Sequence, residues 1–275
     1  MATCGSNAMS DTDTLIEVRQ VTRRFAESTA IKEVSFDVYR GELLTVVGSS
    51  GCGKSTLARM MAGLDSPTSG EISIDGKVID GPSPDRGMVF QKYTLFPWLT
   101  VVKNVMFALT VQGQGRRSAE SEAMQWVEMI GLSDFAHRYP HELSGGMQQR
   151  VAIARSLAAR PKVLLMDEPF GALDAQTRQK MQHHLLTICE HVDITVVFIT
   201  HDLDEAIFLA DRVLVLKPNP GEIQDIVNVS LPKPRCIDLQ FSHAFVELRT
   251  KLASMIHHAD EEEDLPMHML TMKHA

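Results

Sequence analysis

The chain has 275 residues, 44% of them apolar, and a formal net charge of -8. That composition supports a folded core and excludes a disordered polymer, and the acidic balance argues against a dedicated nucleic-acid binder, which is ordinarily basic. No run approaches the roughly 18 uninterrupted apolar residues of a membrane span; the most apolar window, Val101 to Val111, is broken by Lys103 and Asn104.

The first residues show no basic stretch followed by an apolar one, so no secretory signal is expected. Ser6-Asn7-Ala8 ahead of Met9 reads as a tag remnant, and residues 1–8 are expected to stand outside the fold. Cys4, Cys52, Cys189 and Cys236 are far apart and show no metal-ligand spacing, which fits a reducing, cytosolic compartment.

Leu15 to Val18 and Val34 to Val38 alternate as half-buried strands do. Leu43 to Val47 is an apolar run, followed by a glycine-rich turn and a helical segment in which Leu57, Met61 and Leu64 share one face. Glu71 to Ile74, Asp75-Gly76 and Lys77 to Ile79 carry a hairpin signal. From Gln91 to Arg160 the pattern is mainly helical, with a loop at Gln112 to Gly115 and a helix at Ser118 to Ile130. Val163 to Met166, Ile194 to Ile199 and Arg212 to Leu216 are further apolar runs of strand length. Pro218, Pro220 and Gly221 punctuate the end of the core, before a short extended segment and a helix from about Ser242 to Ile256. Apolar strands separated by helices predict an α/β fold with a parallel sheet covered on both faces, beside an antiparallel layer and a helical insert.

Gly48-Ser49-Ser50-Gly51-Cys52-Gly53-Lys54-Ser55 fits the phosphate-binding P-loop pattern and stands between a predicted strand and a predicted helix, as that pattern requires. Its glycines let backbone N–H groups close around phosphate oxygens, and the helix N-terminus adds partial positive charge. Lys54 is expected to reach the β- and γ-phosphates of ATP and Ser55 to bind Mg²⁺, with Thr56 completing the nucleotide-binding stretch. The Cys52 thiol is expected beside the nucleotide, open to alkylation. The strand ending in Asp167-Glu168 brings two carboxylates to the C-terminal edge of the sheet, where open parallel sheets bind ligands. Asp167 is expected to meet the Mg²⁺ near Ser55, leaving Glu168 to orient and deprotonate a water. Leu143-Ser144-Gly145-Gly146-Met147-Gln148-Gln149-Arg150 opens a helix with Ser144 as N-cap. Gly145 and Gly146 leave that helix start bare, so an anion can approach a second phosphate site.

These motifs, in this order, resemble the ATP-binding cassette (ABC) family from Leu15 to about Leu216. The resemblance implies a P-loop ATPase domain over residues 9–220, a helical subdomain at about 92–160, and a C-terminal extension with an acidic tail over 221–275. It also implies further roles. Gln91, after Met88-Val89-Phe90, resembles the family's Gln-loop residue, which contacts Mg²⁺ and signals to the membrane partner. Gly171-Ala172-Leu173-Asp174 resembles the D-loop at the dimer interface, and His201 the switch histidine beside the γ-phosphate. Phe25 sits where the family has an aromatic ring stacking on adenine, and Met147 departs from the commonest signature, which has Gln there. Ser144, Gly145, Gly146 and Asp174 would then bind ATP in trans. The implied working unit is a homodimer, or a paired ATPase subunit, closing on two ATP molecules. It would dock on integral-membrane permease subunits, be served indirectly by a solute-binding protein, and lie peripherally on the cytoplasmic face of the bacterial inner membrane.

Leu95 to Val101, Pro220 to Ile223, Leu231-Pro232-Lys233-Pro234-Arg235 and Phe245 to Arg249 resemble the ATPase subunits of bacterial importers for nitrate, sulfonates, taurine and similar anions. Phe96 and Trp98 admit two readings, a docking patch or the core of the helical insert. Two rival functions remain: a soluble ABC-type ATPase acting on ribosomes or DNA, and a P-loop kinase, which would not need the Ser144 stretch. Asp260 to Asp264 reads as a solvated tail, with metal capture by His257, His258, Met267, His268, Met269, Met272 and His274 as the alternative. His183-His184 reads as an exposed helix face.

Overall fold

The computed structural model describes residues 14–92 and 94–261, with side chains as far as residue 256. Residues 1–8, Cys4 among them, and the acidic, His- and Met-bearing tail lie outside the described side chains. In chain order, β1 (Thr14–Phe25) and β2 (Ser28–Tyr39) form a hairpin, and β3 (Leu43–Val47) leads through the glycine-rich turn into α1 (Lys54–Met61). β4 (Ser69–Ile74), β5 (Lys77–Val78) and β6 (Arg86–Val89) follow. The helical insert contains α2 (Val101–Val111), α3 (Arg116–Met129) and α4 (Gly145–Ala158). The chain then runs through β7 (Val163–Asp167), α5 (Ala175–His191), β8 (Thr195–Ile199), α6 (Leu203–Leu209), β9 (Arg212–Lys217), β10 (Glu222–Asn228) and α7 (His243–Glu261).

The strands form a four-stranded sheet in the order β2-β1-β4-β5 and a six-stranded sheet in the order β10-β9-β3-β8-β7-β6. The first is antiparallel; the second is parallel except where β10 pairs with β9. The apolar runs occupy the parallel sheet because both of its faces are covered. Successive side chains point to opposite faces, so each strand feeds two cores. Leu44 and Val46, Leu165, and Val197 and Ile199 pack with α1 and the antiparallel layer. Leu43 and Val47, Leu164 and Met166, and Val196 and Phe198 pack with the helices on the other side. Each such fully buried aliphatic or aromatic side chain contributes about 1.5–3 kcal/mol.

Three sequence expectations change, and one strand is added. Leu64 is exposed, because α1 ends at Met61: Gly63, at φ +75°, closes it with Gly63 N–H on the Met60 carbonyl and Leu64 N–H on the Arg59 carbonyl. The turn at Pro218 to Gly221 does not end the core, because Glu222 pairs back on Lys217 and β10 joins the sheet. β6 is too short to announce itself by periodicity and is found only by its pairing with β7. His183 and His184 are half-buried: the His183 ring packs 5.1 Å from Phe208, and burial pushes the His184 imidazole pKa down.

The Val101–Val111 window is α2, an amphipathic helix packed into the insert through Val101, Val102, Val105 and Leu109. Asn104, one of its two polar interruptions, is buried and accepts from Phe96 N–H (2.9 Å) while donating to the Leu99 carbonyl (3.0 Å). It thereby fixes the loop that carries Phe96 and Trp98. No described helix is long and apolar enough to cross a membrane.

Candidate functional site

Strand order builds the site. β3, β8, β7 and β6 are consecutive neighbours, and chain segments leaving adjacent strands start only about 4.8 Å apart. The loop after β3 carries Gly48 to Gly53, the one after β8 carries His201, the end of β7 carries Asp167 and Glu168, and the one after β6 carries Gln91. Segments far apart in sequence thus meet along one edge of the sheet.

The resulting cleft, about 500 Å³, is lined by Ala30, Ser50, Gly51, Gly53, Lys54, Ser55, Thr56, Glu168 and His201. The loop wraps close to its surroundings. A β-carbon on Gly53 would stand 2.5 Å from Ile31 Cδ1, and one on Gly48 would stand 2.4 Å from the Leu216 carbonyl oxygen. Lys54 is buried and donates from Nζ to the carbonyls of Gly48 and Ser49, both at 2.8 Å. Cys52 is 0% exposed, and its sulfur lies 3.8 Å from Lys54 Nζ. Burial pushes its thiol pKa up, with Lys54 offsetting part of the rise. The side chain therefore points beneath the loop rather than into the cleft. The Cys52 thiol is thus not open to alkylation as expected, because the fold encloses it behind the loop.

Ser55 Oγ donates to Asp167 Oδ1 at 2.9 Å. Burial raises the Asp167 pKa and the neighbouring Glu168 charge adds to the rise, while the Ser55 hydrogen bond and Lys54 oppose it. Glu168 takes a left-handed backbone at φ 46°, an uncommon conformation for a residue with a β-carbon. Its N–H still bonds to the Ile199 carbonyl at 3.0 Å, so the carboxylate turns out of the strand while the backbone stays paired. One carboxylate oxygen lies 3.2 Å from His201 Nδ1 and the other 3.5 Å from Gln91 Nε2. A carboxylate held between an imidazole and an amide, at the mouth of a glycine loop, is suited to accepting a proton from water.

The oxygen pair of Ser55 and Asp167 fits Mg²⁺, a hard cation that usually takes one or two protein oxygens and completes its shell with water and substrate phosphates. Among the described residues no group of three or more His, Cys, Asp or Glu side chains is arranged to hold a metal.

The remaining predicted residues lie elsewhere. Phe25, at the end of β1, is 43% exposed, with the Arg23 guanidinium 4.5 Å over one ring face. Ser144, Gly145, Gly146 and Asp174 do not line the cleft. Ser144 caps α4, accepting from Met147 N–H at 3.3 Å, and Asp174 caps α5, accepting from Thr177 N–H at 3.0 Å. Gly146 is buried against Thr177, so it serves packing as well as leaving the helix start bare. The sequence reading missed Ala30, which reaches the cleft through the β1–β2 hairpin, and Arg178, which bridges the Leu173 carbonyl and the Asp202 carboxylate, both at 3.2 Å. Arg178 stands four residues after the capping Asp174, one turn along a helix, and that spacing was its only signal.

Residues 31–171 match the ABC transporter family model. Among similar proteins, the nitrate import ATP-binding protein NrtD of Synechocystis sp. is 45% identical over 258 residues, 90% of this chain and 97% of that protein. The aliphatic sulfonates import ATP-binding protein SsuB of Bacillus thuringiensis is 43% identical over 247 residues, 88% of this chain and 96% of that protein. A dimeric ATP-binding cassette solved in a post-hydrolysis state with ADP and Pi superposes with a TM-score of 0.69 at 33% identity, covering 79% of this chain and all of that one. The chain belongs to the ABC transporter family and carries that family's α/β ATPase fold.

Proposed function

We propose that this chain hydrolyses ATP to power a membrane permease importing a small anion of the nitrate or sulfonate class. The observation that carries the hydrolytic part is the Glu168 carboxylate, held by His201 and Gln91 beside the Lys54 loop. The solute class rests on the similarity to NrtD and SsuB over most of the chain.

In this reading Lys54 exchanges the Gly48 and Ser49 carbonyls for β- and γ-phosphate oxygens, and backbone N–H groups from Ser49 to Thr56 close around the phosphates. Ser55, Asp167 and Gln91 would hold Mg²⁺, which would supply positive charge to neutralise the phosphates. Glu168 orients the attacking water and takes its proton, and His201 stabilises the charge that develops. Phe25 offers its open face to adenine. Ser144, Gly145, Gly146 and Asp174 act on the ATP of a second subunit, so the working form is a homodimer or a pair of ATPase subunits. The solved dimer of a similar cassette supports that arrangement.

The ATPase unit spans residues 9–220, with its helical part at about 92–160. The extension at 221–275 contributes β10 to the same sheet. A permease contact at the insert is supported by Trp98, which is 70% exposed beside a groove of about 320 Å³ lined by Leu99, Val102, Met106 and Phe107 among others. A solute-binding protein would meet the permease on the far side, with this chain peripheral on the cytoplasmic face of the inner membrane.

Replacing Lys54 by Ala tests the reading. ATP turnover should vanish and ATP affinity fall, and a purified Lys54→Ala protein with normal turnover would remove the P-loop assignment.

A further inference from the structure

Helix α6 is seven residues long and follows directly on His201 and its N-cap, Asp202. Charged side chains from outside the helix hold both ends. At the start, Asp202 Oδ1 accepts from Glu205 N–H at 3.1 Å, and Oδ2 accepts from Arg178 at 3.2 Å. At the end, Arg235 lies across the last turn: Nη1 donates to the carbonyls of Ile207 (2.8 Å) and Phe208 (3.0 Å), and Nη2 donates to the Ala210 carbonyl (2.8 Å).

The last carbonyls of a helix lack intrahelical donors, and a guanidinium there also meets the negative end of the helix dipole. Arg235 is only 7% exposed. Charge-assisted bonds made out of water are stronger than those at the surface. The segment carrying Arg235 is itself tied down. Leu231 is buried, and Lys233 pairs with Asp211 Oδ1 at 2.6 Å. The other Asp211 oxygen accepts from Leu43 N–H at 3.0 Å. The Leu231-Pro232-Lys233-Pro234-Arg235 stretch is therefore a strap across the C-terminal end of α6.

We propose that Arg235 is a positioning residue for hydrolysis: by holding the last turn of α6 it sets the height of His201 against Glu168. The inference rests on the reading that His201 serves the reaction. The helix is about 10 Å long, short enough that slippage at its last turn displaces the Asp202 cap. His201 precedes that cap by one residue, and its Nδ1 stands 3.2 Å from Glu168 Oε1. The hydrogen bonds of Arg235 go to the end of α6 and not to the phosphate loop, so nucleotide binding should be spared.

The test compares Arg235→Gln, Arg235→Lys, Lys233→Gln and His201→Ala in the full chain. It measures steady-state ATPase activity, affinity for a fluorescent ATP analogue, and unfolding in denaturant. Arg235→Gln should lower kcat between about tenfold and a hundredfold, as small misplacements near reacting groups do, with nucleotide affinity unchanged. Arg235→Lys should recover part of the rate, and Lys233→Gln, which cuts only an exposed tie of the strap, should lower it less than Arg235→Gln does. In the His201→Ala background, Arg235→Gln should lower the residual rate no further, a result that simple destabilisation would not give. A folded Arg235→Gln protein with parental kcat, beside an inactive His201→Ala protein, overturns the inference alone. Equal losses in both backgrounds overturn it as well. Full turnover by His201→Ala removes instead the reading beneath it. Should Arg235→Gln fail to fold, Arg235→Lys carries the same comparisons, and parental kcat in that variant with impaired folding would count against positioning.

Discussion

Gly146 at the start of α4 and Thr177 in the first turn of α5 stand so close that a β-carbon on the glycine would lie 2.6 Å from the threonine methyl. The Thr177 backbone is held in place there, because its N–H donates to Asp174 Oδ1 at 3.0 Å. The starts of α4 and α5 are thus in close contact. Gly146→Ala should destabilise the protein by about 1–3 kcal/mol, the usual cost of overpacking. Thr177→Ser removes the methyl and keeps the hydroxyl, so it should recover most of that loss in the double variant. Denaturant midpoints decide the matter, and an unchanged midpoint for Gly146→Ala alone would show that the contact relaxes at little cost.

Cys52 should resist alkylation. Only the thiolate reacts readily, and this thiol is both enclosed and held in its protonated form by burial. Cys236 is exposed, whereas the Cys189 thiol is pushed up to about 12. Peptide-level mass spectrometry after brief maleimide treatment at neutral pH should find Cys236 labelled well ahead of Cys52 and Cys189, with ATPase activity retained. Labelling of Cys52 as fast as in the unfolded chain would contradict its inward orientation.

Glu168→Gln keeps the shape of the side chain and removes the base. General-base contributions are typically about 10²–10⁴-fold, so turnover should collapse by that order. Lys54, Ser55 and Asp167 are untouched, so ATP should still bind. The expected product is a stable ATP-bound dimer, seen by size-exclusion chromatography with light scattering. Adding Ser144→Arg should abolish that dimer by obstructing the α4 N-terminus. Parental turnover by Glu168→Gln would mean that another group is the base.

Trp98→Ala should leave the fold intact. The ring is mostly in solvent and its aromatic neighbour is Phe96, 5.6 Å away, whereas Phe96 itself packs 4.6 Å from Phe107 and beneath Arg155. Trp98 is therefore a surface residue and not core of the insert. Stability should change by no more than about 0.5 kcal/mol, as for ordinary surface substitutions, and basal ATPase activity should persist. Transport into vesicles carrying the permease should fall. Undiminished transport would remove Trp98 from the docking surface.

Much of this protein was legible in its sequence because the controlling interactions are local. The phosphate loop is contiguous, so strand, glycines, Lys54 and Ser55 are read as one string. Ser144 and Asp174 each cap a helix through a bond to the residue three positions on, and the runs of β3, β7 and β8 are apolar because both faces of their sheet are covered. Strand order was not legible. Hydrogen bonds between β3, β8, β7 and β6 pair segments far apart in the chain, and no local preference records which run lies beside which. That order alone brings Gln91 and His201 to the two oxygens of Glu168. The direction of Cys52 and the partners of Arg235 were decided in the same way. A side chain's surroundings are set by whatever the completed fold packs against it: the Leu216 strand and Lys54 Nζ behind the loop, and the three carbonyls at the C-terminal end of α6.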